Sequence, residues 1–295
     1  MASTLTGSFP IGFRRLGSPW QSDLSALITF GVESGFEFID VGDESIESLG
    51  KIRAAGLKVG TVDLPQPWAA LASPDGAKRR DAAAMMAEKI AAAGQVGARM
   101  FFVVVFPEDE SRSRRENLHF AADGYGQLCQ AIAPLGAKIV IEGYPGRGPG
   151  YQALACTPEG YRALFDAVGS DVLGVNFDPS HLIRMGIDPL RFLNEFAARV
   201  YHVHAKDTLI IEEGLYRFGN LQPATLAAPH KWGGYHWRYT IPGHGHAPWR
   251  KLLERLQSSG FKDCVSVELE DEDFNGAEAT ERRGLLESLN FLKGC

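Results

Sequence analysis

Four apolar, β-branched stretches in the second half of the chain each end in a side chain that titrates. These residues are a glutamate, an aspartate, a histidine and a second glutamate, namely Glu142, Asp178, His204 and Glu268. One polar group at the end of a buried strand requires no explanation, but four such ends suggest a shared site. Three carboxylates held close together need a nearby cation or strongly shifted pKa values. We therefore predict that the four residues together bind a divalent metal ion.

The ligand types restrict the choice of ion. Three oxygen donors and one nitrogen, with no thiolate, suit hard or borderline cations. We expect one ion per chain, with Mn²⁺ ahead of Mg²⁺, Co²⁺ and Zn²⁺. Each residue taken alone could instead cap a loop through hydrogen bonds, so the prediction depends on all four sharing one site. The four cysteines form no CxxC pair, which gives no indication of a metal finger.

The elements that must position these residues alternate between strand and helix along the whole chain. Strand patterns cover residues 9–16, 36–41, 57–62, 98–106, 137–142, 173–178, 200–205 and 262–270, and helical spacing follows each of them. Eight repeats over 295 residues predict one domain, 1–295, with the α/β fold of a (β/α)8 TIM barrel. An open doubly wound sheet would need an early glycine fingerprint, and Gly17-Ser18-Pro19 does not provide one. In a barrel, the four chosen residues share one mouth.

Residues 208–246 break this alternation after the seventh strand. They show no clean helix or strand period and are rich in aromatic residues and glycine. Long loops inside compact domains are usually functional, and the aromatic content argues against disorder. We predict a β7–α7 insertion that covers a larger ligand or mediates subunit contact. The second alternative would make the protein a homo-oligomer.

Composition excludes several classes of protein. Hydrophobic residues make up 45% and charged residues 22% of the chain, as in ordinary globular proteins. The net charge of −6 and the pI near 5.8 argue against nucleic acid or an anionic membrane as partner. The first residues lack the pattern of a signal peptide, and no apolar run reaches membrane length. We expect a cytoplasmic enzyme whose partner is a small molecule.

A glycine-proline loop at residues 145–150 follows the strand that ends at Glu142. Such a loop could cradle a phosphate, but it lacks the Lys-Ser/Thr continuation and does not open directly into a helix. We expect ordinary loop chemistry there.

The pattern resembles the xylose isomerase-like TIM-barrel superfamily, in particular its sugar (phosphate) isomerase/epimerase branch. The resemblance is carried by short motifs in the second half: Ile141-Glu142, Asp178-Pro179-Ser180-His181, His202-Val203-His204-Ala205-Lys206-Asp207, Pro242-Gly243-His244-Gly245 and Val267-Glu268. It implies metal ligation by Glu142, Asp178, His204 and Glu268. It also implies that His181 lies near the substrate and that Lys206 and Asp207 support the ligand histidine.

The chemistry of these residues agrees with the resemblance. A metal that chelates two neighbouring oxygens of a ketose polarises the carbonyl and acidifies the adjacent C–H bond. Glu142 and Glu268 are the expected acid/base pair: one removes the proton to give a cis-enediolate and the other returns one from the opposite face. Return to the same carbon inverts it, and return to the neighbouring carbon isomerises the sugar. We predict a metal-dependent isomerase or epimerase of a keto-sugar or related polyol.

Further residues are assigned around this centre. We expect His181 to contact a substrate hydroxyl, and we place Lys206, His244 and Trp20 among the substrate-binding residues. A turn that faces solvent is an equal alternative for His244, and ordinary packing is an alternative for Trp20. We predict that His202 points to the face opposite His204, as a packed and hydrogen-bonded histidine that is not a ligand.

Three other functions stay open. The same metal site would serve a lyase, either a dehydratase of a keto-inositol or an enzyme that eliminates across a keto-sugar glycoside. A nuclease of the endonuclease IV type needs additional histidines after the third and fourth strands, where the chain has Leu64-Pro65-Gln66-Pro67 and Phe106-Pro107-Glu108 instead. A non-catalytic sugar-binding barrel would not require both Glu142 and Glu268.

Overall fold

Eight parallel strands close into a barrel in the computed structural model, which describes residues 2–147 and 152–295. In chain order the barrel strands are β1 (Ile11–Arg14), β2 (Phe38–Val41), β3 (Lys58–Asp63), β4 (Met100–Val103), β5 (Lys138–Glu142), β6 (Leu173–Phe177), β7 (Val200–Ala205) and β10 (Val265–Val267). Two further strands, β8 (Asp207–Ile210) and β9 (Trp237–Thr240), form a separate antiparallel pair. The predicted (β/α)8 fold is confirmed.

Helices cover the outside of the barrel and lie between its strands. They are α1 (Pro19–Ser22), α2 (Leu24–Ser34), α3 (Ile46–Ala54), α4 (Gly76–Gln95), α5 (Arg114–Ile132), α6 (Pro158–Val168), α7 (Pro179–Arg184), α8 (Pro189–Phe196), α9 (Glu212–Phe218), α10 (Trp249–Ser258) and α11 (Glu278–Lys293). Three 3₁₀ turns complete the regular structure: Trp68–Ala72, Ala133–Leu135 and Ala197–Arg199.

Local sequence accounts for where the helices begin. Thr157 caps α6 through its side chain and Pro158 occupies the first helical position, as predicted. Ser113 and Glu116 form a reciprocal capping box at the start of α5. Each cap satisfies backbone N–H groups that have no partner inside the helix, a contribution of about 1 kcal/mol.

The core lies between the barrel wall and the helices. The central residues of β5, Ile139, Val140 and Ile141, are all fully buried, in keeping with a parallel strand covered on both faces. The amphipathic helices supply the outer layer, for example Leu252, Leu253 and Leu256 of α10. This continuous packing surrounds the strands whose carboxyl ends form the mouth of the barrel.

The insertion is more regular than its sequence indicated. Residues 208–246 show no clean helix or strand period in the sequence, yet β8 and β9 pair in antiparallel register and α9 lies between them. The elements are only four and seven residues long, too short for a period to emerge. The last barrel strand is also shorter than predicted. It ends at Val267, and the N–H of the following Glu268 still donates to the carbonyl of Ala205 in β7.

Two further predictions concern membrane-spanning helices and the glycine-proline loop. No helix among the described residues is both long enough and apolar enough to cross a lipid bilayer. The glycine-proline loop of residues 145–150 lies partly outside the described residues, because residues 148–150 are not among them.

Candidate active site at the barrel mouth

The four residues predicted as metal ligands meet at the carboxyl ends of their strands. Glu142 is the last residue of β5, Asp178 follows β6, His204 lies near the end of β7 and Glu268 follows β10. Each is buried, and each offers one ligand atom such that all these atoms lie within 4.8 Å of one another. We call this group, Glu142, Asp178, His204 and Glu268, the mouth cluster.

One histidine nitrogen links the two glutamates of the mouth cluster. Nδ1 of His204 lies 2.6 Å from Oε2 of Glu142 and 3.4 Å from Oε2 of Glu268. Asn176, paired with Glu142 across the β5–β6 ladder, donates its side-chain amide to the same Glu142 oxygen at 2.9 Å. The other oxygen, Oε1, lies 3.2 Å from Nε2 of His181. Glu142 is thus fixed in orientation by contacts to both of its oxygens.

Two cations balance the acidic charge, Lys206 fully buried and Arg14 partly buried. Lys206 Nζ lies 2.6 Å from Oε2 of Glu268, 3.0 Å from Glu270 and 3.3 Å from Oδ2 of Asp178. Arg14 Nε lies 3.3 Å from Oε1 of Glu268. The resemblance implied that Lys206 supports the ligand histidine, but its ammonium group contacts the carboxylates instead.

Asp207 also departs from its expected role. Its carboxylate accepts hydrogen bonds from the backbone N–H groups of Gly243 and Ala247 and from the indole of Trp249. Asp207 therefore holds the turn that ends the insertion and does not support His204.

The charges keep both glutamates of the mouth cluster ionised. Burial and the charge of Glu268 act to raise the pKa of Glu142, but His204 and His181 hold it below the usual value. Burial likewise opposes ionisation of Glu268, yet Lys206 and His204 hold its pKa well below the usual value. Against burial, the two glutamates raise the pKa of His204 well above its ordinary value. The ionised glutamates therefore make the site favourable for a cation.

The donor set fits a divalent cation. Oδ1 of Asp178 accepts the backbone N–H of Ser180 at 2.8 Å, while the buried Oδ2 accepts no hydrogen bond. The Lys206 ammonium lies 3.3 Å from this oxygen without donating a hydrogen bond to it, so the oxygen keeps lone pairs that a metal ion can use. Three carboxylates and one imidazole nitrogen supply ligands typical of Mn²⁺, Mg²⁺ and Zn²⁺ sites.

A second acidic and basic pair lies one layer deeper in the barrel. We call Asp40 of β2 and His202 of β7 the inner cluster. Oδ2 of Asp40 lies 2.9 Å from Nε2 of His202, and Oδ1 accepts the backbone N–H of Thr61 at 2.7 Å. Against burial, His202 and His204 hold the pKa of Asp40 well below its usual value.

The inner cluster corrects one prediction. His202 does not point to the face opposite His204, because the two rings lie 5.5 Å apart inside the barrel and Nε2 of each faces Asp40. Side chains alternate along a strand with period two, so residues two positions apart share a face. The other part of the prediction, a packed and hydrogen-bonded His202, agrees with its contact to Asp40 and its complete burial.

A cavity of about 880 Å³ opens above the mouth cluster. Its floor includes Glu142, His181, Lys206 and Glu268, and the insertion supplies much of its wall. The wall residues from the insertion include four aromatic side chains: Trp232, Tyr235, Trp237 and Tyr239. The volume is near the upper end of ligand pockets, which run to roughly 1,000 Å³.

Two predicted substrate contacts lie elsewhere. Trp20 borders a second cavity of about 520 Å³, and its indole donates to Glu281 at 2.6 Å. The two cavities share Lys231 and Trp232 as lining residues. His244 is exposed in the turn that follows β9, with its ring near Phe274. The structure thus brings His181 and Lys206 to the mouth cluster, but not Trp20 or His244.

Several residues of the site were not selected from the sequence. Asp40 follows the apolar residues Phe38 and Ile39 in the same way as the chosen acids, so its signal was available in the first half of the chain. Arg184 and Tyr239 gave no such signal, because one lies in a short helix and the other in the insertion. Only the folded chain shows that both border the cavity.

One family model covers nearly the whole chain. A family model described as xylose isomerase-like TIM barrel matches residues 29–295. Among curated relatives, the uncharacterized protein YfiH of Bacillus subtilis is 31% identical over 136 residues, which cover 45% of this chain and 40% of that protein. An inosose dehydratase of Clostridium botulinum is 26% identical over 157 residues, covering 53% and 48%. The chain thus spans about half the length, or less, of these relatives.

Solved structures share the fold over almost their full length. The D-psicose 3-epimerase of Clostridium cellulolyticum, solved with D-tagatose, has a TM-score of 0.70 at 15% identity, covering 97% of this chain and 100% of that chain. An IolI protein with a bound zinc atom has a TM-score of 0.66 at 18% identity, with 96% of each chain covered. At these identities the likeness establishes the fold.

Proposed function

The chain belongs to the xylose isomerase-like TIM barrel family, and from that premise we propose that it is a divalent-metal-dependent epimerase or isomerase of a keto-sugar or related polyol. The observation that carries the proposal is the mouth cluster itself. Two ionised glutamates, Glu142 and Glu268, flank one histidine nitrogen and both border the large cavity. A site that only bound a sugar would not need two carboxylates in this arrangement.

Glu142, Asp178, His204 and Glu268 would hold the ion. When bound, a divalent cation supplies Lewis acidity that polarises a substrate carbonyl and acidifies the neighbouring C–H bond. Mn²⁺ is the ion we propose, on the basis of the oxygen-rich donor set; the zinc atom in the related IolI structure supports Zn²⁺ as an alternative.

The chain itself supplies the proton transfers. Glu142, ionised and fixed by Asn176 and His204, accepts the proton from the carbon next to the carbonyl. Glu268, after taking up a proton from solvent, delivers it to the other side of that carbon, which inverts its configuration, or to the neighbouring carbon, which gives the aldose–ketose isomer once the hydroxyl proton has moved to the carbonyl oxygen. Glu142 then releases its proton to solvent. His181, within 3.2 Å of Glu142, is placed to hydrogen-bond a substrate oxygen beside the base.

A dehydratase of a keto-inositol is the second candidate. The inosose dehydratases among the curated relatives favour it. The reaction starts with the same proton abstraction but continues with loss of a hydroxyl group, which leaves with a proton as water. The same mouth cluster serves both reactions, so the substrate and the product distinguish them.

The test is to incubate the Mn²⁺-supplemented protein in D₂O with a panel of keto-sugars and keto-inositols and to follow the products by NMR. Deuterium next to the carbonyl together with an epimer or isomer supports the first proposal. Formation of an unsaturated or deoxy product with loss of water selects the dehydratase. Glu142→Gln should abolish both, while Glu254→Gln, an exposed residue of α10, is the matched control. No exchange and no product with any substrate would overturn both candidates.

A further inference from the structure

The insertion contributes one side chain directly to the site. Tyr239 of β9 is 4% exposed, and its hydroxyl oxygen lies 2.7 Å from Nδ1 of His181. Arg184 of α7 donates to the same oxygen through Nη1 and to the carbonyl of Gly146 through Nη2. His181 in turn places Nε2 3.2 Å from Glu142 and 3.4 Å from Asp178. These residues form a continuous chain from Arg184 to Glu142.

The donor and acceptor roles along this chain follow from chemistry. A guanidinium only donates, so the Tyr239 oxygen accepts from Arg184. Burial raises the pKa of Tyr239, so the phenol keeps its proton. Within the described residues, the hydrogen-bond partners of this hydroxyl are Arg184 and His181. The phenol proton must therefore point to Nδ1 of His181, because a buried donor without an acceptor is costly.

This hydrogen bond determines which ring nitrogen of His181 carries the proton. If Nδ1 accepts a hydrogen bond, the single proton of the neutral ring resides on Nε2. Nε2 faces Glu142 and Asp178, which only accept when ionised. A doubly protonated ring would turn an N–H toward the phenol and leave the phenol proton without an acceptor. All the hydrogen bonds in this series are thus donated in the same direction, from Arg184 through Tyr239 and His181 to Glu142.

The strand that holds Tyr239 is anchored on both sides. Tyr239 pairs with Thr208 across the β8–β9 ladder. Its neighbour Thr240 donates its hydroxyl to the buried Asp271, which also accepts the backbone N–H of Ile241. Arg184 is stacked 4.4 Å from the ring centre of Trp237 on the same strand. The hydroxyl of Tyr239 is therefore held in place by rigid structure.

We propose that Tyr239, oriented by Arg184, is a positioning residue that fixes His181 as the Nε2–H tautomer and aims that N–H at the oxygen of the bound substrate beside Glu142. The insertion is then part of the reaction machinery as well as a wall of the cavity. The role of His181 toward substrate rests on the proposed function, whereas the tautomer does not.

The first test is spectroscopic and needs no substrate. Long-range proton–nitrogen NMR correlations on protein labelled with ¹⁵N-histidine distinguish the two tautomers, and His181→Gln identifies the His181 signals. We expect Nε2–H in the native protein and a shift toward Nδ1–H or a mixture in Tyr239→Phe. Arg184→Lys, which cannot reach both of the arginine's partners, should shift the signals in the same direction. Tyr216→Phe, a hydroxyl on the exposed face of α9, should change nothing.

The second test is kinetic, on the Mn²⁺-supplemented enzyme with its best substrate. Tyr239→Phe should lower kcat at least about 10-fold with KM changed less than about threefold, because substrate still binds while the donor is misaligned. An Nδ1–H tautomer in the native protein, or an unchanged tautomer in Tyr239→Phe, would overturn the inference whatever the kinetics. If no substrate is turned over, the proposed function fails, and the NMR result still decides the tautomer.

Discussion

The mouth cluster and the inner cluster both combine buried carboxylates with histidine, yet the structure gives them different tasks. Asp40, His202 and His204 bring ligand atoms as close together as the four residues at the mouth do. In the inner cluster, however, both oxygens of Asp40 already accept hydrogen bonds. In the mouth cluster, one oxygen of Asp178 accepts none, and both glutamates border the cavity. Buried acids and histidines therefore indicate a metal site only where their ligand atoms are still available.

His204 belongs to both regions and shows how they cooperate. Its Nδ1 faces the glutamates at the mouth, while its Nε2 lies 3.5 Å from Oδ2 of Asp40. A histidine that binds a metal commonly directs its other nitrogen to a carboxylate, which fixes the ring. We interpret the inner cluster as the support of the mouth cluster.

The largest expected effect is on catalysis. Glu268→Gln removes one proton carrier of the pair and one negative ligand, so we expect turnover to fall by about 10²- to 10⁴-fold. The thermal unfolding midpoint should fall as well, because the buried Lys206 loses its anionic partner at 2.6 Å, so turnover is compared at a temperature where both proteins are folded. Turnover of the best keto-sugar or keto-inositol, measured beside Glu287→Gln of α11 as control, checks this. Retained turnover would remove Glu268 from the acid/base pair.

In the inner cluster we expect the main effect on stability. Asp40→Asn leaves His202 without its anionic partner in a fully buried position, so the free energy of unfolding should fall by about 3 kcal/mol. Urea denaturation of the metal-free protein measures this directly. If Asp40→Asn is as stable as the native chain, Asp40 is not the support that we describe.

The contribution of Asp40 should also depend on pH. Its pKa is held well below the usual value in the folded chain, so the stabilisation is fully present above the unfolded pKa of about 4 and disappears as the pH falls below it. The stability difference between native protein and Asp40→Asn should therefore be largest near neutral pH and shrink in acid. Denaturation curves at several pH values in a chelating buffer provide the measurement, and a difference that grows in acid would contradict the assignment.

A smaller effect tests how closely the inner cluster is packed. A methyl group added at Gly60 of β3 would overlap Oδ1 of Asp40, whereas one added at Gly50 of α3 meets no atom within 4 Å. Gly60→Ala should thus destabilise the fold by about 1–3 kcal/mol. Gly50→Ala should be neutral or stabilise it by about 0.5–1 kcal/mol, since alanine suits a helix better. Equal effects of the two substitutions would show that the space around Asp40 is not limiting.

The sequence was sufficient for the barrel and for the identity of the mouth cluster as a group, because both depend on local patterns. Apolar runs that end in a charged residue gave Glu142, Asp178 and Glu268 their places at the strand ends. Contacts between distant segments were not predictable in this way. The pairing of Tyr239 with His181 joins residues 58 positions apart, and the short β8 and β9 acquire their form only from each other. Trp20 was selected by residue type alone, and the fold places it beside Glu281.

The central claim, that the mouth cluster holds one divalent ion, is tested most directly by a matched pair of aspartates. Asp178 and Asp188 both precede a proline and cap short helices through Oδ1, and asparagine caps equally well. Only Asp178 has a second oxygen aimed at the cluster. After loading with Mn²⁺ and dialysis, elemental analysis should find about one ion per chain in the native protein and in Asp188→Asn, and almost none in Asp178→Asn. A full ion in Asp178→Asn, or none in the native protein, would contradict the account.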